Sequence, residues 1–317
     1  MITDRIDAIT AIDSRYRGAI LPAPRSVKIE LTGRCNYACT FCARSMVLRD
    51  QKDMARPLFE RLLPEMRAAG VEEIGLFYLG ESFLCRWLVE AIAFAKQECR
   101  YPYVFLTTNG SLATPERLRD CFRAGLDSLK FSFNYADESQ FAEIAQVKTA
   151  FYRRMIENIR NARAVRDAVY EETGHHCGLY ASYIEYDGDQ GHRMTQALEQ
   201  IRDCVDEIYA LPLYNQANLV TESEKKKGWK PIVGNRGRVD ALRDPLPCWA
   251  VFTEGHVTWD GKLSACCFDH DGRFHMGDLT TTSFMDAWNS PKFQQLRAAH
   301  LRHDVTGTPC ETCVAYH

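Results

Sequence analysis

No stretch of this sequence approaches the roughly 20 consecutive apolar residues needed to cross a membrane. The N-terminal MITDRIDAITAIDSRYRG has no apolar centre followed by a small-residue cleavage site. The chain is therefore expected to work in the cytoplasm, with no membrane partner. Neither sign of charge is in excess: 39 Lys and Arg against 42 Asp and Glu leave a net charge of −3. That offers no electrostatic footprint for a nucleic-acid partner. Internal repeats and low-complexity tracts are also missing. The 317 residues, 46% hydrophobic and 26% charged, allow one large domain, or one of about 200 residues with a smaller one beside it.

Cysteine, by contrast, is plentiful. Thirteen cysteines is an odd number, in a chain read as cytoplasmic. Glutathione there disfavours structural disulfides, so clustered cysteines point to metal ligation or catalysis.

Between residues 26 and 215 strand-like and helix-like segments alternate. The strands are SVKIELT (26–32), EEIGLFYLGE (72–81), YVFLTTNG (103–110), DSLKFSFN (127–134), CGLYASYIEY (177–186) and EIYALPLY (207–214). The helices are read at 57–70, 84–98, 114–125, about 138–168 and 192–203. Six βα units predict a parallel sheet with right-handed crossovers. The count suits a partial (β/α)6 TIM-like barrel, with a doubly wound sheet as the alternative. Functional residues are expected at the C-terminal ends of the strands. Residues 1–25 form an N-terminal extension, 26–215 the barrel, and 216–317 a linker with a small α+β module. The basic stretch 221–238, including Lys225–Lys227, reads as a solvated turn or a substrate-facing lid. VFTEGHVTWDGKLSACC reads as a hairpin turning at Asp260-Gly261, followed by short helices and the terminal CETC.

Cys35, Cys39 and Cys42 follow the first strand at spacings of four and three. Three thiolates there can hold three irons of a [4Fe–4S] cluster and leave the fourth iron open. Zinc in a Cys₃ site is the alternative. This CxxxCxxC loop after the first strand of a βα repeat resembles the radical S-adenosylmethionine (SAM) superfamily. The resemblance implies that the open iron chelates SAM and that SAM is cleaved to methionine and a 5′-deoxyadenosyl radical, which abstracts hydrogen from substrate. It implies that Phe41 packs near the adenine. It places Gly80 and Glu81 in the element gripping the SAM amino group, although Leu79 and Ser82 depart from the family's Gly-Gly-Glu-Pro-like form. Asn109, Ser132 and Leu213, at later strand ends, complete the expected cofactor wall. A flavodoxin- or ferredoxin-type electron donor is implied as well.

Cys248, Cys266, Cys310 and Cys313 form a second constellation of four thiolates, enough to close a site. The surrounding text resembles the twitch domain, a shortened SPASM module carrying one auxiliary [4Fe–4S] cluster. With His317 four residues past Cys313, a second auxiliary cluster is not expected. A zinc-ribbon-like site is the alternative. Cys267 is left over, either a hydrogen-atom donor to a substrate radical or a buried residue pointing away from Cys266. Cys85, Cys99, Cys121, Cys177 and Cys204 read as small core residues, and the His175-His176 pair as exposed.

The resemblance to twitch enzymes that oxidise an aminocyclitol alcohol implies an oxidoreductase acting on a secondary alcohol of a polyol, sugar or aminocyclitol. Such a reaction needs a base for the hydroxyl proton, and Asp187, Arg236 and Asp269 are candidates. Alternatives are a radical epimerase using Cys267 and a peptide-modifying maturase. The maturase is weakened because about 25 residues before the first strand are too few to fold alone. A zinc-stabilised binding protein is the non-enzymatic alternative.

Overall fold

Six short strands carry the architecture: β1 (Ser26–Ile29), β2 (Glu73–Gly75), β3 (Tyr103–Thr108), β4 (Ser128–Ser132), β5 (Gly178–Ile184) and β6 (Glu207–Leu211). In this computed structural model residues 1–185, 190–214, 216–220, 235–236, 242–244 and 246–313 are described. The six strands pair in parallel and in sequence order. That order decides between the two expected architectures. A doubly wound sheet reverses direction at a switch point, whereas an unbroken 1-to-6 progression curls one way into a partial barrel.

Each strand is shorter than its apolar run. The apolar residues beyond Ile29 and Gly75 belong to the loops that build the site. Alternation along the strands sorts side chains to two faces. On β1, Val27 and Ile29 are fully buried on the outer face, while Ser26 and Lys28 face an interior cavity. On β4, Leu129 and Phe131 are buried outside, and Ser128 and Lys130 face inward.

The outer layer is helical. α1 (Ile2–Thr10) precedes the barrel. α2 (Arg56–Ala69), α3 (Leu88–Ala93), α4 (Pro115–Arg123), α5 (Glu138–Ala145), α6 (Ala150–Thr173) and α7 (Gln190–Glu199) lie between its strands. α4 begins as its sequence predicts: the Thr114 hydroxyl accepts from the Arg117 amide and Pro115 occupies the first turn, a standard N-cap. The single helix read over 138–168 is two. Gln146 takes a left-handed conformation, φ 55°, and ends α5, which apolar periodicity alone does not reveal. Of the cysteines read as core residues, Cys85, Cys121 and Cys177 are buried, and Cys99 and Cys204 only half-buried. His176 is exposed, but His175 is half-buried, 2.9 Å from the Leu126 carbonyl oxygen.

The C-terminal part does not stand apart from this sheet. After the two-stranded ribbon β7 (Asn235–Arg236) and β8 (Leu242–Arg243), β9 (Glu254–Val257) pairs in parallel with β1. β10 (Lys262–Ser264) and β11 (His275–Asp278) continue it antiparallel, giving one nine-stranded sheet. The hairpin turns where expected, Gly261 taking φ +80°. α8 (Phe284–Trp288) and α9 (Pro291–Leu301) close the chain over β11. Arg297 of α9 is fully buried between the rings of Trp288 and Phe293, 4.2 Å from each. It donates to the Val251 and Ala19 carbonyls. The stretch 221–234 lies outside the described residues. Among those described, no helix is long and apolar enough to cross a membrane.

The N-terminal extension has a definite place. α1 lies across the N-terminal ends of the strands and closes the barrel floor. Glu207, first residue of β6, accepts from the Ile2 amide at 2.8 Å and from the Thr3 amide and hydroxyl. A carboxylate there satisfies amides that no helical carbonyl reaches and complements the helix dipole. Arg5 pairs with Glu73, first residue of β2, and lies 3.4 Å over the ring of Tyr103, first residue of β3. Ile2, Ile6 and Ile9, on one helical face, line the cavity. Glu207→Ala should release this helix at a cost of about 1–3 kcal/mol, read as a lower unfolding midpoint in denaturant. An unchanged midpoint would show that the plug contributes nothing to stability.

Candidate active site

The three-cysteine loop leaves β1 through Glu30–Arg34 and is tied down on three sides. The Ala38 and Thr40 amides donate to the carbonyls of Ala145 and Ile144, so the loop satisfies the open C-terminal end of α5. Asn36 donates to Ser111 at 2.8 Å and accepts from Asn109 at 2.9 Å. From the end of β2, Gly80 comes so close that a Cβ would lie 2.0 Å from the Thr32 carbonyl oxygen and 2.7 Å from that of Arg34. The Glu81 amide donates to the same Arg34 carbonyl at 2.8 Å. The Glu81 carboxylate, fully enclosed, accepts from the Thr108 hydroxyl at 2.7 Å, the Asn109 amide at 2.8 Å and the Phe83 amide at 3.2 Å. Burial raises its pKa despite those donors.

Cys35, Cys39 and Cys42 are thereby gathered, half-buried, with the Tyr135 hydroxyl 3.0 Å from the Cys39 sulfur. Burial, then the neighbouring Glu81 carboxylate and Cys42 thiol, push the Cys35 thiol up to about 12. Burial and the neighbouring thiols push Cys39 up as well. Three thiols within electrostatic reach of one another fit an iron–sulfur cluster with an open position.

The second set assembles on the other side of the cavity. The Cys248 amide donates to His300 Nδ1 at 3.1 Å, and His300 Nε2 lies 3.4 Å from the Cys310 sulfur. The Cys313 amide turns back to the Cys310 carbonyl at 3.0 Å, and the Phe268 amide lies 3.4 Å from the Cys266 sulfur. Burial, then the Cys248 and Cys313 thiols, push Cys310 upward. A hydrogen bond to the Cys267 thiol, then burial and the Cys313 thiol, do the same for Cys266. Cys310 lies within electrostatic reach of Cys248 and Cys313, and Cys266 within reach of Cys313, a set of four thiols that fits a fully ligated cluster.

Between the two sets lies a cavity of about 400 Å³. Phe41 of the first loop, Cys248, Cys266, Cys310 and Cys313 of the second set, and the remaining Cys267 all line it. Its wall carries a chain of buried polar groups that the sequence analysis did not single out. Lys28 pairs with Glu254 at 2.8 Å, and Glu254 with His256 at 3.1 Å. The Tyr78 ring lies 5.1 Å from the His256 ring, and its hydroxyl donates to the Cys266 carbonyl and accepts from the Asp269 amide. Burial alone would raise Glu254, but Lys28 and His256 outweigh it and hold the carboxyl at about 2. Lys130, opposite, is lowered to about 8, by burial first and by Lys28 second. A lone lysine inside an apolar strand, as in SVKIE and DSLKF, is the signal that marks such inward-facing residues.

The expected residues distribute unevenly around this cavity. Phe41 and Leu213 line it, as does Cys267. Cys267 does not point away from Cys266 as strand alternation predicts, because β10 ends at Ser264 before either cysteine. Gly80, Glu81 and Asn109 lie outside the cavity lining and bind the cysteine loop to the segments that follow β2 and β3. Ser132, at the end of β4, is half-buried and outside the cavity lining. Asp269 is fully buried and turned away. Its carboxylate accepts from the Ser264 hydroxyl at 2.7 Å and the Phe274 amide at 3.3 Å, so it holds a turn. Asp187 and the side chain of Arg236 lie outside the described residues.

Two consequences are measurable. Gly80→Ala should displace the first loop and leave about four of about eight irons per chain, counted after anaerobic reconstitution. Full iron content would show that the loop tolerates the added carbon. Glu254 is depressed from an ordinary 4.5 to about 2, so its stabilisation is complete above pH 4.5 and lost as pH falls toward 2. Glu254→Gln should flatten that part of the acid limb in unfolding experiments across pH 2–5. An acid limb identical to that of the parent protein would remove Glu254 from the account.

Comparison with known proteins agrees with this geometry. The family model of the radical SAM superfamily matches residues 29–176, and that of the SPASM iron–sulfur cluster-binding domain matches 248–314. A GTP 3′,8-cyclase from Mycobacterium sp. (strain KMS) is 25% identical over 206 residues, 64% of this chain and 54% of that protein. The PqqA peptide cyclase of Bradyrhizobium diazoefficiens is 29% identical over 133 residues, 42% of this chain and 34% of that protein. The chain thus spans about half or less of the length of these curated relatives. Among solved structures, BtrN in complex with AdoMet and 2-DOIA superposes with a TM-score of 0.60 at 16% identity, covering 91% of this chain and 92% of that one. Streptococcus suis SuiB bound to precursor peptide SuiA gives 0.66 at 14% identity, covering 94% and 71%. These last likenesses establish the partial-barrel fold. With its two cysteine sets on either side of one barrel cavity and both domain families matched, the chain belongs to the radical SAM superfamily and carries a SPASM-type iron–sulfur domain.

Proposed function

We propose that the chain oxidises a secondary alcohol of a small polyol, sugar or aminocyclitol, with 26–215 as the catalytic barrel and 216–317 as linker and auxiliary cluster module. The observation that carries the reading is the cavity itself, since the same space of about 400 Å³ touches Phe41 of the first cysteine loop and Cys248, Cys266, Cys310 and Cys313 of the second set. When bound, SAM and the first cluster supply a 5′-deoxyadenosyl radical, and the second cluster supplies a one-electron acceptor. The balance for an alcohol is one hydrogen atom lost from carbon, one proton lost from oxygen and one electron removed. The protein must supply the proton's destination.

Lys130 is the cavity group suited to it. Its amine faces the cavity, and burial holds its pKa at about 8, so a useful fraction is neutral near physiological pH. None of the bases expected from sequence is in a comparable position among the described residues. The floor closed by α1 favours a compact substrate. The SuiB likeness and the PqqA relative favour a peptide, which the same assay tests. A second reading rests on Cys267, whose place in the cavity lining suits a hydrogen-atom donor in a radical epimerisation.

Anaerobically reconstituted protein incubated with SAM, a reductant and a polyol panel should form one 5′-deoxyadenosine per ketone. Ketone formation should rise with pH through about 8, a limb that Lys130→Met removes. Deuterium taken up from solvent at carbon without net oxidation, lost in Cys267→Ala, would overturn oxidation in favour of epimerisation. A modified peptide with no polyol product would overturn both. An unchanged pH limb in Lys130→Met would remove that residue as the base.

A further inference from the structure

His300 is the one histidine among the described residues held between two cysteines of the second set. It sits on α9, ten residues before Cys310, and no part of its surface is exposed. Its two ring nitrogens have distinct jobs. Nδ1 accepts the Cys248 backbone N–H at 3.1 Å, so it carries no proton of its own. The ring proton of the neutral imidazole must then sit on Nε2, which lies 3.4 Å from the Cys310 sulfur. Phe252, edge-on with ring centroids 6.3 Å apart, packs against the imidazole.

We propose that His300 is a positioning residue for the second site, donating an Nε2–H···S hydrogen bond to the Cys310 thiolate and thereby raising the reduction potential of the cluster bound there. The inference rests on an iron–sulfur cluster occupying that site. A hydrogen bond to a ligating sulfur withdraws electron density from the metal–thiolate bond and stabilises the more negative, reduced cluster. The consequence is a better electron acceptor facing the cavity. The arrangement is pre-set by folding, because the Cys248 amide fixes the tautomer and α9 fixes the ring. It couples two ligands distant in sequence, Cys248 through its backbone and Cys310 through its sulfur.

The test is a potentiometric EPR titration of the reconstituted holoenzyme, with and without SAM. The signal that SAM does not perturb reports the second cluster. His300→Leu should lower its potential by the equivalent of about a tenfold change in equilibrium constant, about 59 mV for one electron. His300→Gln, whose amide can still accept and donate, should recover part of that shift. In the parent protein, electron–nuclear double resonance should show an exchangeable proton and a ¹⁵N-histidine nucleus weakly coupled to the reduced second cluster. Those couplings hold the inference to account even if His300→Leu loads iron poorly. An unshifted potential with full iron in His300→Leu would overturn it. So would absent couplings, or a ¹⁵N coupling large enough for direct ligation to iron. Stoichiometric zinc with about four irons per chain would instead overturn the second-cluster reading and this inference with it.

Discussion

The site depends on one close approach, that of the Gly80 backbone to the carbonyls of Thr32 and Arg34. No side chain fits there, so the end of β2 lies directly against the segment that launches the cysteine loop. The next residue completes the junction. The Glu81 amide bonds the loop, and its enclosed carboxylate bonds the end of β3 through Thr108 and Asn109. Three strand ends are thus joined through two residues, and Asn109 returns to the loop at Asn36. A buried carboxylate with this many donors is costly to disturb. These bonds fix the path of the loop that carries cysteines at spacings of four and three.

Below that junction the barrel interior is unusually charged for a protein core. Lys28, Glu254 and His256 form a buried series, and Tyr78 links it to the backbone of Cys266. Charges survive there because they are paired. The N-terminal helix is part of the cavity, since Ile2, Ile6 and Ile9 form its wall.

The second set is joined to the barrel because β9 adds to β1 in parallel. β1 leads into the first loop at its C-terminal end, and β10 runs back antiparallel along β9 before Cys266, so the two sets leave adjoining strands of one sheet. Trp259 strengthens the joint, its amide donating to the buried Glu30 carboxylate at 3.1 Å. The second module thereby continues the barrel's own sheet.

Local signals in the sequence determined a good deal: the six βα units, the Asp260-Gly261 turn, the Thr114 cap and both cysteine sets. The units, the turn, the cap, the first cysteine loop and the terminal C-x-x-C each depend on residues close together in the chain, where periodicity, turn chemistry and ligand spacing act directly, and the second cysteine set was legible from the resemblance of the text around it. Tertiary structure alone decided the rest. Gly80 and Glu81 stand out locally as a Gly-Glu pair after a strand, and only the fold shows that they also join the cysteine loop to β3. Asp269 reads as a base, and the fold buries it in a turn. Lys130, Tyr78 and His300 were not singled out in the sequence, and the fold places them at the cavity or beside a cysteine. The physical reason is the same in each case. A polar side chain takes its role from the partner it meets after burial, and those partners come from strands and helices tens to hundreds of residues away.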